Sequence, residues 1–237
     1  MIWHCQGDEN MVNCKKETYG FDDLREIMEY LRQPDIGCPW DAAQTHASIR
    51  KNFLEEAYEV CEAIDRQDNV LMCEELGDTL FQVAFHTRIA EEEGAFTMDD
   101  VTSGICKKMI ERHPHVFGQH EKLEKPEDTF NVWDAVKAQE KSQKTYTDAM
   151  NDVAKTLPAL MYAEKVQGRA KKSGFDWPAV SGAMDKVREE AAELQECIDK
   201  GEDIQEELGD LLFAAVNVAR MQDVDPEEAL LRATQKF

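Results

Sequence analysis

The octapeptide EELGDTLF occupies residues 74–81, and EELGDLLF occupies residues 206–213. They differ at one position. The duplicated unit is longer than the octapeptide, because EEAYEVCEAID (55–65) precedes the first copy and EEAAELQECID (189–199) precedes the second. The first half recurs 134 residues on, from Glu55 to Glu189, and the second half 132 residues on, from Glu74 to Glu206. Only the joining segment differs in length. Each half has helical periodicity, so each copy predicts an antiparallel helix hairpin written EExxE, then ExxD. The shared glycine costs a helix about 1 kcal/mol against alanine. One use for it is to let a partner helix or a ligand approach the backbone closely.

A spacing of three on a helix puts two side chains about 60° apart, on one face. Glu56 and Glu59 therefore share a face, as do Glu75 and Asp78, and the second copy repeats this with Glu190, Glu193, Glu207 and Asp210. A packed hairpin brings each set of four carboxylates into one cluster. Left alone, such a cluster repels itself and protonates some members. A hard divalent cation removes the conflict, and Mg²⁺ is commonly held by a few carboxylates plus substrate phosphates. A competing reading places Glu56 and Glu59 on a plain solvated face, opposite the apolar stripe Leu54, Ala57, Tyr58 and Cys61. One loosely spaced acidic motif arises by chance in so acidic a chain. Two copies in matched order, with a shared glycine, favour the metal centre.

The 49 acidic against 27 basic residues leave a net charge of −22 over 237 residues. Such a surface is repelled by phosphate backbones and anionic lipid, which argues against nucleic acid and membranes as partners. No apolar run approaches the ~18 residues of a membrane span, and the N-terminus lacks the shape of a signal peptide. Seven scattered cysteines without a C-x-x-C fit a reduced, cytoplasmic protein; Cys61 and Cys106 read as buried thiols. From Phe21 onward the periodicity is helical and strand patterns are nearly absent. The expected fold is all-α: a loose tail over 1–20, a helical domain over 21–118, a polar linker over 119–152 in which TFNVWDAVKAQEKSQK reads as a surface helix, and a second helical domain over 153–237. Thr97 reads as a helix cap, Gly94 as a helix end, and Asp225 with Pro226 as a helix start. The final helix carries no stop signal and reads as cut short at Phe237.

Smaller features have structural readings. His113 and His115 flank a proline and suit a turn better than a helical metal pair. GCPWD (37–41) reads as a packed Gly/Pro loop, and GFDW (174–177) is similar in kind. Lys165, Arg169, Lys171 and Lys172 form the densest basic run and are candidate phosphate contacts, with Trp177 a candidate stacking residue.

Taken in order, GCPWDAAQTHASIRKNFLEEAYEVCEAID, EELGDTLFQVAFH, ERHPHVFG, LPALMYAEKVQ, GFDW and the second acidic unit resemble the MazG family of nucleoside triphosphate pyrophosphohydrolases. The resemblance runs from about Phe21 to Phe237. It implies tandem all-α domains, each contributing an acidic helix hairpin to a four-helix-bundle-like homodimer. The implied reaction hydrolyses an NTP or dNTP to the monophosphate and pyrophosphate with Mg²⁺, with Mn²⁺ as a substitute, as nucleotide-pool house-cleaning. Carried over, Glu190, Glu193, Glu207 and Asp210 hold the metal, Lys236 contacts the phosphates, and Glu189 is the candidate base. Glu56, Glu59, Glu75 and Asp78 form a candidate second metal site, and Lys165, Arg169, Lys172 and Trp177 candidate substrate contacts. The family helix continues past this point with basic residues, including an arginine that assists catalysis. Two readings compete: a narrower dUTPase-like or phosphoribosyl-ATP pyrophosphohydrolase, and a non-catalytic helical dimerisation or regulatory module.

Overall fold

The computed structural model describes residues 16–118 and 145–237. Most of the expected tail, and the expected surface helix within 119–144, lie outside the described residues. Those described are helical or in turns, with no strand among them. The chain divides into two compact units, Met1–Leu123 and Glu124–Phe237.

The first unit holds α1 (Phe21–Leu31), α2 (Pro39–Ala42), α3 (Arg50–Asp65), α4 (Asn69–Glu92), α5 (Met98–Arg112) and α6 (Pro114–Phe117). Its core gathers Met28, Ile49, Ala84, Phe85, Ile89 and Met98 around the C-terminal half of α4. α3 and α4 form the predicted hairpin. Gln67 turns the chain at φ 55°, and the Asp68 carboxylate accepts from the Val70 and Leu71 N–H groups at 3.0 and 3.1 Å, capping α4. Thr97 caps α5 in a reciprocal box with Asp100, and Gly94 takes the left-handed conformation after α4.

GCPWD departs from a plain loop, since its Pro39–Ala42 stretch winds into the single turn α2. A Cβ on Gly37 would fall 2.5 to 2.7 Å from the carbonyl oxygens of Leu31, Gln33 and Tyr30, so only glycine fits there. Arg32 holds the segment from below. Its guanidinium donates to the carbonyls of Asp41 (2.6 Å) and Gln44 (3.1 Å) and pairs with Glu92 at 2.7 Å. His113 Nδ1–H donates to the Met109 carbonyl, 2.6 Å away, and Pro114 opens α6, the structural turn expected of that motif.

The second unit holds α7 (Tyr146–Asn151), α8 (Ala159–Lys172), α9 (Val180–Lys200), α10 (Gln205–Met221) and α11 (Pro226–Lys236). α9 and α10 form the second hairpin. Gly201, at φ 70°, ends α9, and the N–H groups of Gly201 and Glu202 donate to the carbonyls of Ile198 and Cys197 at 3.1 and 3.0 Å. Asp225 caps α11 ahead of Pro226. Glu227 then reaches back and accepts from the Leu160 and Met161 N–H groups at 3.1 and 3.4 Å, satisfying the open end of α8.

Two expectations fail, and the turn of α3 accounts for all of it except Cys106, which lies on α5. Cys61 and Cys106 are exposed rather than buried, and so are Leu54 and Tyr58 of the α3 stripe. α3 turns Asn52, Glu56, Val60 and Ala63 toward α4 instead. The fully buried apolar residues of the second unit are few and mostly small, among them Ala183, Ala214 and Val216, while Ile198, Leu208, Leu212 and Phe213 remain exposed.

Candidate active site

Glu190 is 4 % exposed, the most deeply buried carboxylate of the second hairpin. It sits on the α9 face that packs on α10, and there it meets Glu207 and Asp210. Carboxylate oxygens of these three lie within 4.8 Å of one another, and those of Glu189, Glu190 and Glu193 do likewise. Glu190 belongs to both sets. The four residues named from the spacing, with Glu189, thus fall into two triads joined through Glu190. Burial, then the charge of Glu190, pushes the Glu193 carboxyl above its ordinary range.

A residue absent from the sequence-based expectations sits here. Lys186 places Nζ 2.5 Å from Glu190 Oε1 and 2.8 Å from Glu189 Oε1. These hydrogen bonds push its ammonium well above the usual lysine range. The signal was available, since Lys186 stands three and four residues before the two glutamates, the spacing at which helical side chains meet.

Lys186, Glu190 and Asp210 also line a cleft of about 960 Å³, walled in part by Phe175, Trp177 and Phe213. Trp177 lies over Gly182, where an added Cβ would come 2.7 Å from its ring. The preceding Asp176 is locked to Arg220 of α10 at 2.5 Å. Burial alone would raise the Asp176 carboxyl. The Arg220 guanidinium and the Trp177 N–H outweigh it and hold the group below the usual carboxylate range.

The structure separates the expected substrate contacts. Trp177 lines this cleft; Lys165, Arg169 and Lys172 do not, and Lys172 borders a second cleft of about 740 Å³ with Lys171 and Arg220. Lys236 is exposed at the end of α11 and, among the described residues, makes no ion pair with the carboxylates.

The first hairpin brings Glu56, Glu59 and Glu75 within the same 4.8 Å. Burial, then the charges of Asp78 and Glu59, raises the Glu56 carboxyl, and burial followed by Glu59 and Asp78 raises that of Glu75. Glu56 and Ala57 are half-buried, whereas Glu59 and the rest of the stripe, Leu54, Tyr58 and Cys61, are exposed. The position matching Lys186 is Asn52, so this cluster has no equivalent cation. Gly77 and Gly209 face open space, since an added Cβ at either would meet nothing within 4 Å. Among the described residues no helix packs close enough to need those glycines. Each cluster is an all-oxygen donor set able to hold a hard metal ion.

The model of the MazG nucleotide pyrophosphohydrolase domain matches residues 44–117 and 180–237, each segment containing one complete acidic unit. The chain belongs to the MazG family. A Thermotoga maritima protein named nucleoside triphosphate pyrophosphohydrolase/pyrophosphatase MazG is 46 % identical over 217 residues, covering 92 % of this chain and 82 % of that protein. The Escherichia coli K12 nucleoside triphosphate pyrophosphohydrolase is 43 % identical over 221 residues, 91 % of this chain and 83 % of its own. Bacillus subtilis YabN, uncharacterized, is 46 % identical over 220 residues that make up 44 % of its length. GCPWD and GFDW lie outside both matched segments. In this MazG chain those motifs do separate work: GCPWD is tied to α4 through Arg32, and GFDW supplies the aromatic wall of the cleft.

Proposed function

We propose that this MazG chain hydrolyses nucleoside triphosphates, NTP or dNTP, to the monophosphate and pyrophosphate, with Mg²⁺ or Mn²⁺, as a cytoplasmic nucleotide-pool enzyme. The observation that carries this is the convergence of Glu190, Glu207 and Asp210 in an aromatic-walled cleft, in a family whose relatives are named for that activity. Glu190, Glu193, Glu207 and Asp210 would hold the cation. When bound, it offsets the charge of carboxylates and phosphates and makes the phosphorus more electrophilic.

The chain's own residues set up the rest. Water adds at phosphorus, the phosphoanhydride between the α- and β-phosphoryl groups breaks, and the bridging electron pair leaves with pyrophosphate. Glu189, beside the ligands, takes the water's proton. Lys186 pairs with the buried Glu190 at 2.5 Å, and as substrate enters, its ammonium offers compensation for phosphate charge. Lys236 serves the leaving pyrophosphate if α11 brings it to the substrate. Trp177 stacks on the base. The second hairpin is the catalytic one, because Lys186 stands beside its carboxylates and the matching position of the first hairpin is Asn52.

The exposed apolar faces of α3–α4 and α9–α10 support assembly as a homodimer, since a hairpin with one apolar face cannot enclose its own core. No described helix is long and apolar enough to cross a membrane. Pyrophosphate release from a panel of ribo- and deoxyribonucleotides, with and without Mg²⁺, tests the activity. Metal-dependent release from several triphosphates is expected. Release from dUTP or phosphoribosyl-ATP alone would narrow the enzyme, and none from any nucleotide would leave a non-catalytic module.

A further inference from the structure

Gln167 of α8 lies on the wall of the carboxylate cleft and is 7 % exposed. The orientation of its amide is decided by its neighbour. Nε2 donates to the backbone carbonyl of Phe213 at 2.8 Å, and a carbonyl only accepts, so the other end must be the oxygen. That Oε1 is buried without any hydrogen-bond partner among the described residues. A buried carbonyl oxygen left unpaired is costly, and a methionine or leucine would fill the same space without the penalty. Asn217 lines the same cleft one helical turn beyond Phe213. Its Oδ1 accepts from Arg220 Nε at 3.1 Å and Nη2 at 2.7 Å. A guanidinium only donates, so the Asn217 amide is fixed too, with Nδ2 as the free donor end. Arg220 is itself clamped by Asp176, the neighbour of Trp177.

The cleft therefore offers one acceptor and one donor of fixed polarity beside the rings of Phe175, Trp177 and Phe213. A sugar hydroxyl both donates and accepts, and needs no such arrangement. A flat heterocycle with a donor and an acceptor on one edge does. Resting on the pyrophosphohydrolase reading for its substrate class, we infer that Gln167 and Asn217 read the nucleobase, Gln167 Oε1 accepting from its edge and Asn217 Nδ2 donating to it.

The test is equilibrium binding, without metal or turnover, of nucleoside monophosphates carrying each base and of ribose 5-phosphate as the base-free probe. Wild type should bind at least one monophosphate more tightly than ribose 5-phosphate. Gln167→Met should cut that preference by about five- to tenfold, the range of one hydrogen bond, and leave ribose 5-phosphate binding unchanged; Asn217→Asp should cut the preference by a similar factor, measured against that variant's own ribose 5-phosphate affinity. Asn217→Asp keeps an oxygen facing Arg220 and turns the donor end into a charged acceptor; its own ribose 5-phosphate affinity removes the general effect of that charge, so it carries the test if Gln167→Met does not fold. Equal weakening of all ligands, an unchanged preference, or a wild type that does not distinguish the monophosphates from ribose 5-phosphate would overturn the assignment. Base-dependent binding in a chain that releases no pyrophosphate would keep this inference and refute the activity. Hydrolysis without any base-dependent binding would do the reverse.

Discussion

Replacing Gly182 by alanine sets two effects against each other. Alanine favours helix over glycine by about 1 kcal/mol in a helix interior. Gly182 stands in the first turn of α9, so that gain is an upper bound. Against it, the new Cβ would lie 2.7 Å from Trp177 Cε3, 3.3 Å from Cδ2 and 3.4 Å from Cζ3. Ordinary carbon contacts are ~3.5 Å or longer, so the ring must retreat by about 0.8 Å. Overpacking typically costs about 1–3 kcal/mol, and the ring, 44 % exposed, can yield outward, which puts the cost at the low end. The net change in stability should lie between zero and about 2 kcal/mol of destabilisation. The functional effect should be larger. Stacking on an aromatic residue contributes about 1–3 kcal/mol per base, and a displaced ring loses much of it, so nucleotide KM should rise about fivefold or more. Urea unfolding gives the first quantity and steady-state kinetics the second. Combining Gly182→Ala with Trp177→Leu should cost no more KM than Trp177→Leu alone, because the glycine acts through the ring. If Gly182→Ala stabilises the protein by the full propensity gain and leaves KM unchanged, Trp177 is not held where the cleft requires it.

Millimolar Mg²⁺ should raise the melting temperature by mass action on the native state, and Glu190→Gln with Glu207→Gln should abolish the rise; a wild-type response in the double variant would place the metal elsewhere. Glu193→Ala should lower hydrolysis at least about a hundredfold, roughly 2.7 kcal/mol in the barrier, and Glu59→Ala by less than about tenfold; equal losses would make the two sites equivalent. Light scattering at micromolar concentration should show a dimer, and a monomer would remove the assembly reading. Burial, then the charge of His46, holds the His86 imidazolium below the usual histidine range, with the two Nδ1 atoms 2.8 Å apart. The unfolded chain then takes up a proton that the folded chain resists, so the His86 contribution is complete above about pH 7 and is lost as pH falls through the unfolded and then the folded pKa. Urea midpoints between pH 8 and 5.5 should fall more steeply in wild type than in His86→Phe; parallel slopes would show that this pair does not govern the acid limb.

What the sequence settles about this chain is local. Spacing of three within a helix puts Glu190 with Glu193 and Glu207 with Asp210, because helical geometry is the same wherever the helix sits. The caps at Thr97 and Asp225 are legible for the same reason, since their partners lie within three residues. Lys186 was legible too, as an i,i+4 partner of Glu190, although basic residues farther along the chain draw the eye first.

Which way each helix turns belongs to the tertiary structure. The Leu54, Tyr58 and Cys61 stripe marks α3 as amphipathic, yet Glu56 is turned toward α4 and the stripe is left in solvent. Hydrophobicity states which surface favours burial, but the packing partners available decide which surface obtains it. The same holds for the basic run of α8, since it is Gln167 of that helix, and not Lys165, Arg169 or Lys172, that lines the carboxylate cleft. Gln167 reads in sequence as one more polar helix residue. Its amide is oriented by the Phe213 carbonyl, 46 residues away, and a bond over that distance exists only once α8 and α10 have packed.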